Sequence, residues 1–309
     1  MWTAVAVVLL VASHAGASEV DFLGKGSPAH IRVMSQNAGS NSIFPSQEQP
    51  PDGIEPRSDR FARVLRAVAP DVLCIQEVFP PRNAAAVAEL LDQVLPLDEA
   101  RWQAHGHSDN VIASRFPLRP LAGYEAVHGT RGPRGHAVAI VELPEGTGTR
   151  ELAVVCTHMD SRGQSGARLK HTAALLDSIA AVRSEAGRPV LLMGDLNAYE
   201  DDNAPHVAAM LAWAVDGQIV LRDAEPRVNA SGTETWTFKV VGSPYRPAAL
   251  DRVLYTPKSL ERVHGFVLDT TSLPEEALET VGLRPPDVMR DLQRGHDHLP
   301  VVIDFAFRR

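Results

Sequence analysis

The segment Pro189-Val190-Leu191-Leu192-Met193-Gly194-Asp195-Leu196-Asn197-Ala198 decides how this chain is read. Its apolar run is shorter than a typical helix and reads as a buried strand, with Asp195 and Asn197 at its end. If the backbone stays extended there, the two polar side chains share one side and Leu196 points inward. The pattern recurs. Ile31–Ser35 leads to Asn37, Asp71–Ile75 to Gln76-Glu77, and Leu152–Cys156 to His158, while Asp251 opens Arg252–Tyr255 and Asp297-His298 precede Pro300–Phe305. Each run is rich in Val, Ile and Leu, so the expectation is a sheet core with carboxylates and imidazoles converging on one rim. Hard oxygen ligands with two histidines suit Mg²⁺ or Mn²⁺ better than zinc, because thiolates at finger-like spacing are absent. That donor set predicts metal-assisted phosphoryl hydrolysis.

Working outward, Phe61, Val64, Leu65 and Val68 recur at helical spacing over Arg57 to Ala69, and Pro70 stops that helix. Asn83 to Leu95 and Leu169 to Val182 give two further amphipathic stretches, each followed by strand-like sequence. Asn110 to Ser114 and His136 to Leu143 read as strands joined by Pro- and Gly-containing turns, which indicates antiparallel pairing beside the crossovers. The sum is a mixed-sheet α/β sandwich. Gly39 to Ser58 reads as a long irregular loop over the rim, and Pro274 to Pro286 as a loop with one short helix.

The bulk properties narrow the function classes. A chain of 309 residues, 44% hydrophobic and 22% charged, is ordinary globular composition. The six polar signals span Asn37 to His298 with no Gly/Ser linker, so residues 18–309 are expected to form one domain. The formal net charge of −8 argues against a protein that coats nucleic acid, but not against a nuclease that grips one phosphodiester. The apolar run Ala4 to Ala12 followed by Ala15-Gly16-Ala17 reads as a secretory signal peptide over residues 1–17, which predicts a secreted or periplasmic protein. No lipid-attachment cysteine or second apolar stretch follows, so the mature chain is expected to be soluble and without a membrane span, and a monomer is expected. Cys74 and Cys156 both fall inside buried-strand patterns and read as free thiols of the core.

Taken in order, Ser35-Gln36-Asn37, Ile75-Gln76-Glu77, Asn110 through Ser114-Arg115, Thr157-His158, Gly194 to Ala198, Leu250-Asp251-Arg252 and Asp297-His298-Leu299-Pro300-Val301 resemble the endonuclease/exonuclease/phosphatase superfamily. The resemblance covers almost the whole mature chain. It implies the DNase I-like fold, a four-layer α/β/β/α sandwich of two mixed β-sheets flanked by helices. It also implies hydrolysis of a phosphoester by in-line attack of an activated water, with Mg²⁺, Mn²⁺ or Ca²⁺ bound. By resemblance Glu77 is the principal metal ligand, with Asn37 and Asp297 in support. Asp195 orients or deprotonates the water, Asn197 steadies it, and His158 contacts the phosphate as a general acid. Asp251 fixes the His298 tautomer. Either His298 or Asp195 takes the proton, and both readings stay open. Asn110 and Arg134 match positions facing the substrate phosphate, whereas Arg115 is read as structural.

The superfamily fixes the bond better than the substrate. The favoured reading is an exported nuclease or general phosphodiesterase, with DNA and RNA among the substrates. Sphingomyelinase-like lipid hydrolysis and small-molecule or inositol phosphate hydrolysis stand second, and a catalytically silent binding module third. The Thr235-Trp236-Thr237-Phe238 segment reads as core or rim packing.

Overall fold

The computed structural model describes residues 19–45, 55–129, 132–145, 149–161, 165–184, 188–199, 204–239, 246–288 and 297–308. The segment 1–17, read as a signal peptide, and residues 46–54 of the loop after Gly39 lie outside them. Among the described residues the strands are β1 (Ile31–Asn37), β2 (Val72–Gln76), β3 (Gln103–His107), β4 (Asn110–Ser114), β5 (Leu118–Gly129), β6 (Gly132–Glu142), β7 (Glu151–His158), β8 (Val190–Asp195), β9 (Ala214–Val215), β10 (Gln218–Ile219), β11 (Arg222–Asp223), β12 (Arg227–Val228), β13 (Asp251–Tyr255), β14 (Leu260–Val267) and β15 (Val301–Phe307). The helices are α1 (Arg57–Val68), α2 (Ala84–Val94), α3 (Ser165–Ser184), α4 (Pro205–Ala212) and α5 (Glu275–Thr280).

Two mixed sheets carry the fold. One runs β12-β14-β15-β1-β2-β4-β3 and the other β11-β13-β8-β7-β6-β5. Each has a parallel pair near its middle, β1 with β2 and β7 with β8, while β15, β4, β6 and β13 flank those pairs antiparallel. Ligands of such sheets gather where parallel strands end. Asn37, Gln76, His158 and Asp195 are those four strand ends, and Asp251 pairs with Asp195 across the β8–β13 ladder.

Side-chain alternation sorts the layers. Val154, Cys156, Leu191 and Met193 join the main core, whereas Ala153, Val155, Val190 and Leu192 turn outward to pack with Leu175 and Ile179 of α3 and Val207 and Met210 of α4. Phe61, Val64, Leu65 and Val68 of α1 are buried, and Ala69 ends that helix in the left-handed conformation before Pro70. The Asn83 side chain caps α2 by accepting from the Ala86 N–H. Leu169, the first residue of the amphipathic stretch expected here, is 39% exposed; the buried positions of α3 include Arg168, His171, Thr172, Leu175, Ile179 and Val182.

The two cysteines are not free. Cys74 on β2 and Cys156 on β7 are joined by a disulfide with 5.4 Å between Cα atoms, which ties one sheet to the other. Facing sheets normally lie about 10 Å apart, so the bond marks a place where two small inward side chains let the backbones approach. The partners are 82 residues apart and sit in different sheets, so a buried-strand pattern alone reads as two isolated thiols. A second unheralded core feature is the forked ion pair of Arg32 with Asp304, cross-strand partners on β1 and β15, at 2.6 and 2.8 Å. Arg32 also donates to the carbonyls of Leu23 and Val68, which fastens the end of α1 to the sheet.

Between the second sheet and α3 lies a buried imidazole seam. His136 and His171 stack at 5.5 Å, His136 Nδ1 faces His171 Nε2 at 3.3 Å, and Tyr124 stacks on His136 at 5.4 Å. Burial, reinforced by each ring's neighbouring imidazoles, pushes His136 down to about 3 and His171 down to about 4.

Two outcomes follow from this architecture. The double variant Cys74→Ala/Cys156→Ala should lose roughly 4 kcal/mol in urea unfolding, the loop-entropy value for a long closed loop; a loss below about 1 kcal/mol would mean that packing alone holds the sheets together. The two depressed histidines bind fewer protons folded than unfolded. Their contribution is therefore intact above pH ~6.5 and falls by about 2 kcal/mol per ring at pH ~5. Circular-dichroism melts from pH 7 to 5 should show this decline, and His136→Gln/His171→Gln should flatten it; an equally steep profile in that variant would place the acid sensitivity elsewhere.

Candidate active site

Asp195 closes β8 as a carboxylate 1% exposed. Its Oδ1 accepts the Asn197 backbone N–H at 2.8 Å, and its Oδ2 accepts the Asn37 side-chain amide at 3.1 Å. Two imidazoles face the same Oδ2, His158 Nε2 at 3.4 Å and His298 Nε2 at 3.8 Å. Each has a second carboxylate behind it. His298 Nδ1 lies 2.7 Å from Asp251 Oδ2, and His158 Nδ1 lies 2.8 Å from Asp109 Oδ2. The result is a row of five alternating groups, Asp109, His158, Asp195, His298 and Asp251. At His298 the carboxylate at Nδ1 places the N–H there and turns Nε2 toward the centre, whereas His158 Nδ1 faces both the Asp109 carboxylate and Arg134 Nη1, the latter at 2.7 Å, with its Nε2 likewise toward Asp195.

The outer acids are themselves held. Arg134 Nη1 shares Asp109 Oδ2 with His158, and the Asn110 amide donates to Asp109 Oδ1 and to the Gly135 carbonyl, both at 3.1 Å. Thr237 Oγ1 donates to Asp251 Oδ2 at 2.8 Å. The Thr237 carbonyl accepts from the Leu299 N–H, and the Phe238 ring meets His298 edge-on at 5.5 Å. Burial alone would push both catalytic imidazoles down. For His158 the Asp109 and Asp195 carboxylates outweigh it and raise the ring above its ordinary value, and for His298 Asp251 and Asp195 raise it well above. Both shifts run toward the protonated form.

Backbone strain marks the rim. Glu77 has φ 62 and Asn197 has φ 48, the left-handed region that non-glycine residues adopt at a cost of about 1–3 kcal/mol. Glu77, half-buried, has Oε2 held by the Ser40 N–H at 2.8 Å and the Ser40 hydroxyl at 3.1 Å. The bend at Asn197 corrects the extended reading of Asp195-Leu196-Asn197: the Asn197 N–H turns back onto Asp195 and its amide donates to the Met159 carbonyl at 2.8 Å. Gly194 is required here, because a Cβ would lie 1.9 Å from the Thr157 carbonyl oxygen of the neighbouring strand.

The rim thus gathers Asn37, Glu77, His158, Asp195, Asn197, Asp251 and His298. Asn110 and Arg134 arrive differently from expectation, as supports of Asp109. Asp297 is half-buried beside His298 and acts with Glu77 on the Arg57 guanidinium of α1. Arg115 pairs with Asp71 at 3.4 Å. Sequence reading missed Asp109 and Thr237. Asp109 had one usable sign, its place in the β3–β4 turn directly before Asn110.

The donor set suits a hard divalent cation. Asn37 and Glu77 supply oxygens at adjoining strand ends, and both cysteines are sealed in the disulfide. Among the described residues, Asp195, Asp251 and His298 are the one group of three acidic, histidine or cysteine residues whose ligand atoms lie within 4.8 Å of one another. Within that group, His298 Nδ1 and Asp251 Oδ2 are joined by a hydrogen bond of 2.7 Å.

Nocturnin of Xenopus laevis is 24% identical over 299 residues, which span 91% of this chain and 73% of that protein. Among solved structures, the human Nocturnin catalytic domain with bound sulfate aligns with a TM-score of 0.60 at 18% identity, over 91% of this chain and 95% of that one. ANGEL2, a 2′,3′-cyclic phosphatase in complex with adenosine-2′,3′-vanadate, gives 0.59 at 14% identity over 90% and 96%. TDP2 of D. rerio with a single-strand DNA product gives 0.56 at 17% identity over 89% and 98%. The model of the Endonuclease/Exonuclease/phosphatase family matches residues 34–272, which hold all the strand-end groups except Asp297 and His298, and the chain belongs to that family of phosphoester-hydrolysing enzymes.

Proposed function

We propose that this protein is an exported, divalent-metal-dependent phosphodiesterase that cleaves nucleic acid or other nucleotide phosphodiesters. The observation that carries the reading is the single carboxylate, Asp195, faced by two imidazoles that each have a carboxylate behind them. With both rings shifted toward the protonated form, His158 and His298 are placed to act as hydrogen-bond donors through Nε2. They suit the phosphoryl oxygens and the departing alkoxide, on which negative charge grows. Asp195 is then the acceptor for the proton of the attacking water, and Asn37 and the Asn197 backbone N–H fix its orientation. This favours Asp195 over His298 as the base. No covalent intermediate is needed.

Glu77 and Asn37, with Asp297 beside them, would hold the cation. When bound, Mg²⁺ or Mn²⁺ polarises the phosphoryl oxygens and offsets their charge. The ligands in the TDP2 and ANGEL2 structures, a single-strand DNA product and an adenosine derivative, support a nucleic acid or nucleotide as substrate. Export is supported by the apolar leader and by the Cys74–Cys156 bond, since structural disulfides persist in oxidising compartments. Mass spectrometry of secreted protein should find Ser18 or a near neighbour at the amino terminus; an intact Met1 in a membrane fraction would contradict it.

The direct test is nicking of supercoiled plasmid with Mg²⁺. Activity should vanish with EDTA and fall roughly 10²–10⁴-fold in His298→Ala and in Asp109→Asn, each assayed at a temperature where circular dichroism shows the variant folded. Folded, Mg²⁺-binding protein that leaves both plasmid and adenosine 2′,3′-cyclic phosphate intact would exclude the nucleotide reading.

A further inference from the structure

Strand β8 ends at Asp195, and beyond it the carbonyls of Leu196 and Asn197 find partners on the outer helices. His206, buried on the first turn of α4, has Nε2 2.8 Å from the Leu196 carbonyl oxygen. Arg168, buried on the first turn of α3, donates from Nη1 to the Asn197 carbonyl at 2.9 Å, and the Tyr199 N–H reaches the same oxygen at 3.1 Å. A carbonyl oxygen only accepts, so His206 carries a proton on Nε2. The peptide that His206 meets is the one whose N–H, that of Asn197, grips Asp195 Oδ1 at 2.8 Å. In a trans peptide the C=O and N–H leave one rigid plane in opposite directions. That plane therefore carries a chain of two hydrogen bonds, imidazole to Leu196 carbonyl and Asn197 amide to Asp195 carboxylate, and each polarises the peptide in the sense that strengthens the other. Asn197, at φ 48, is a left-handed residue whose backbone persists only where its surroundings hold it. The two peptide planes that flank it are the ones that His206 and Arg168 anchor.

We propose that His206 is a positioning residue of the reaction, acting through the Leu196–Asn197 peptide to keep the Asp195 carboxylate oriented for the attacking water; this rests on the phosphoesterase reading above. Arg168 holds the next peptide of the same turn. The helix layer outside the second sheet, where Val207 and Met210 of α4 pack beside Leu192 and Leu196, thereby sets the aim of a group on the inner rim. A misdirected acceptor slows proton removal and leaves the phosphate contacts of His158 and His298 in place, so the effect belongs in kcat. Glu77 and Asp297, the carboxylates that would hold the cation, take no part in this chain, so the Mg²⁺ requirement should not move.

The test compares the wild type with His206→Gln, His206→Asn and His206→Leu. Steady-state hydrolysis of bis(p-nitrophenyl) phosphate with Mg²⁺ is measured beside the backbone amide ¹H–¹⁵N signal of Asn197 in metal-free protein. Gln places an amide N–H where Nε2 stands, whereas the shorter Asn places its own near Nδ1, out of reach of the Leu196 carbonyl. His206→Asn and His206→Leu should lose about ten- to hundredfold in kcat with KM changed less than about threefold, and His206→Gln should stay within about threefold of wild type. The Asn197 amide proton should move upfield in the Asn and Leu variants and return in the Gln variant. If His206→Leu does not fold, the two amides decide, since they differ only in reach. Unchanged kcat in folded His206→Asn, an equal loss in Gln and Asn, a rise in KM alone, or an Asn197 signal indifferent to residue 206 would each overturn the proposal. A wild type that hydrolyses no phosphoester, with the Asn197 signal still following the donor at 206, would support the hydrogen-bond chain and overturn the phosphoesterase reading instead.

Discussion

A carboxylate buried between two sheets is the constraint on which the rest of this structure depends. Asp195 is almost wholly removed from water, and an unpaired buried charge costs several kcal/mol. Its compensation comes from Asn37 on the first sheet, His158 on the next strand and His298 ahead of the last strand. Those imidazoles are buried in turn and gain their charge from Asp109 and Asp251, which lean on Arg134 and Thr237. Charge balance at one residue thus recruits both sheets. The architecture meets that demand because each sheet has its parallel pair ending on the same side.

The same constraint explains why the rim is rigid. The disulfide lies two residues before Gln76 on one strand and two before His158 on the other, and the Gln76 amide faces both sulfurs, at 3.1 and 3.4 Å. Left-handed backbone at Glu77 and Asn197 turns those side chains off their strand axes, and such strain persists where the surroundings over-determine it. Hydrogen bonds from Ser40 and to Met159 supply that determination. Groups fixed before substrate arrives need little reorganisation during reaction, which is the usual source of electrostatic catalysis.

Much of this was legible in the sequence for one physical reason. Strands buried on both faces are continuous Val, Ile and Leu runs, so a polar residue at their ends stands out, and Asn37, Glu77, His158, Asp195, Asp251 and His298 were all found that way. What stayed hidden had no such contrast. Gln103-Ala104-His105-Gly106-His107 is a half-exposed strand without an apolar run, and the turn that carries Asp109 resembles any polar loop. Cys74 and Cys156 look like small core residues until the two sheets are placed face to face. Arg32 and Asp304 sit in the middle of apolar strands, where their charges neutralise each other across a ladder that only the pairing of β1 with β15 reveals.

The central claim is that Asp195 is the shared partner of two charged imidazoles. The measurement that tests it most directly is a ¹⁵N titration of the His158 and His298 rings in metal-free wild type and in Asp195→Asn. The wild type should show both rings protonated at Nδ1 and holding their second proton above the ordinary histidine range, and Asp195→Asn should lower both together. Rings that titrate normally in the wild type, or that do not move when Asp195 loses its charge, would contradict the account.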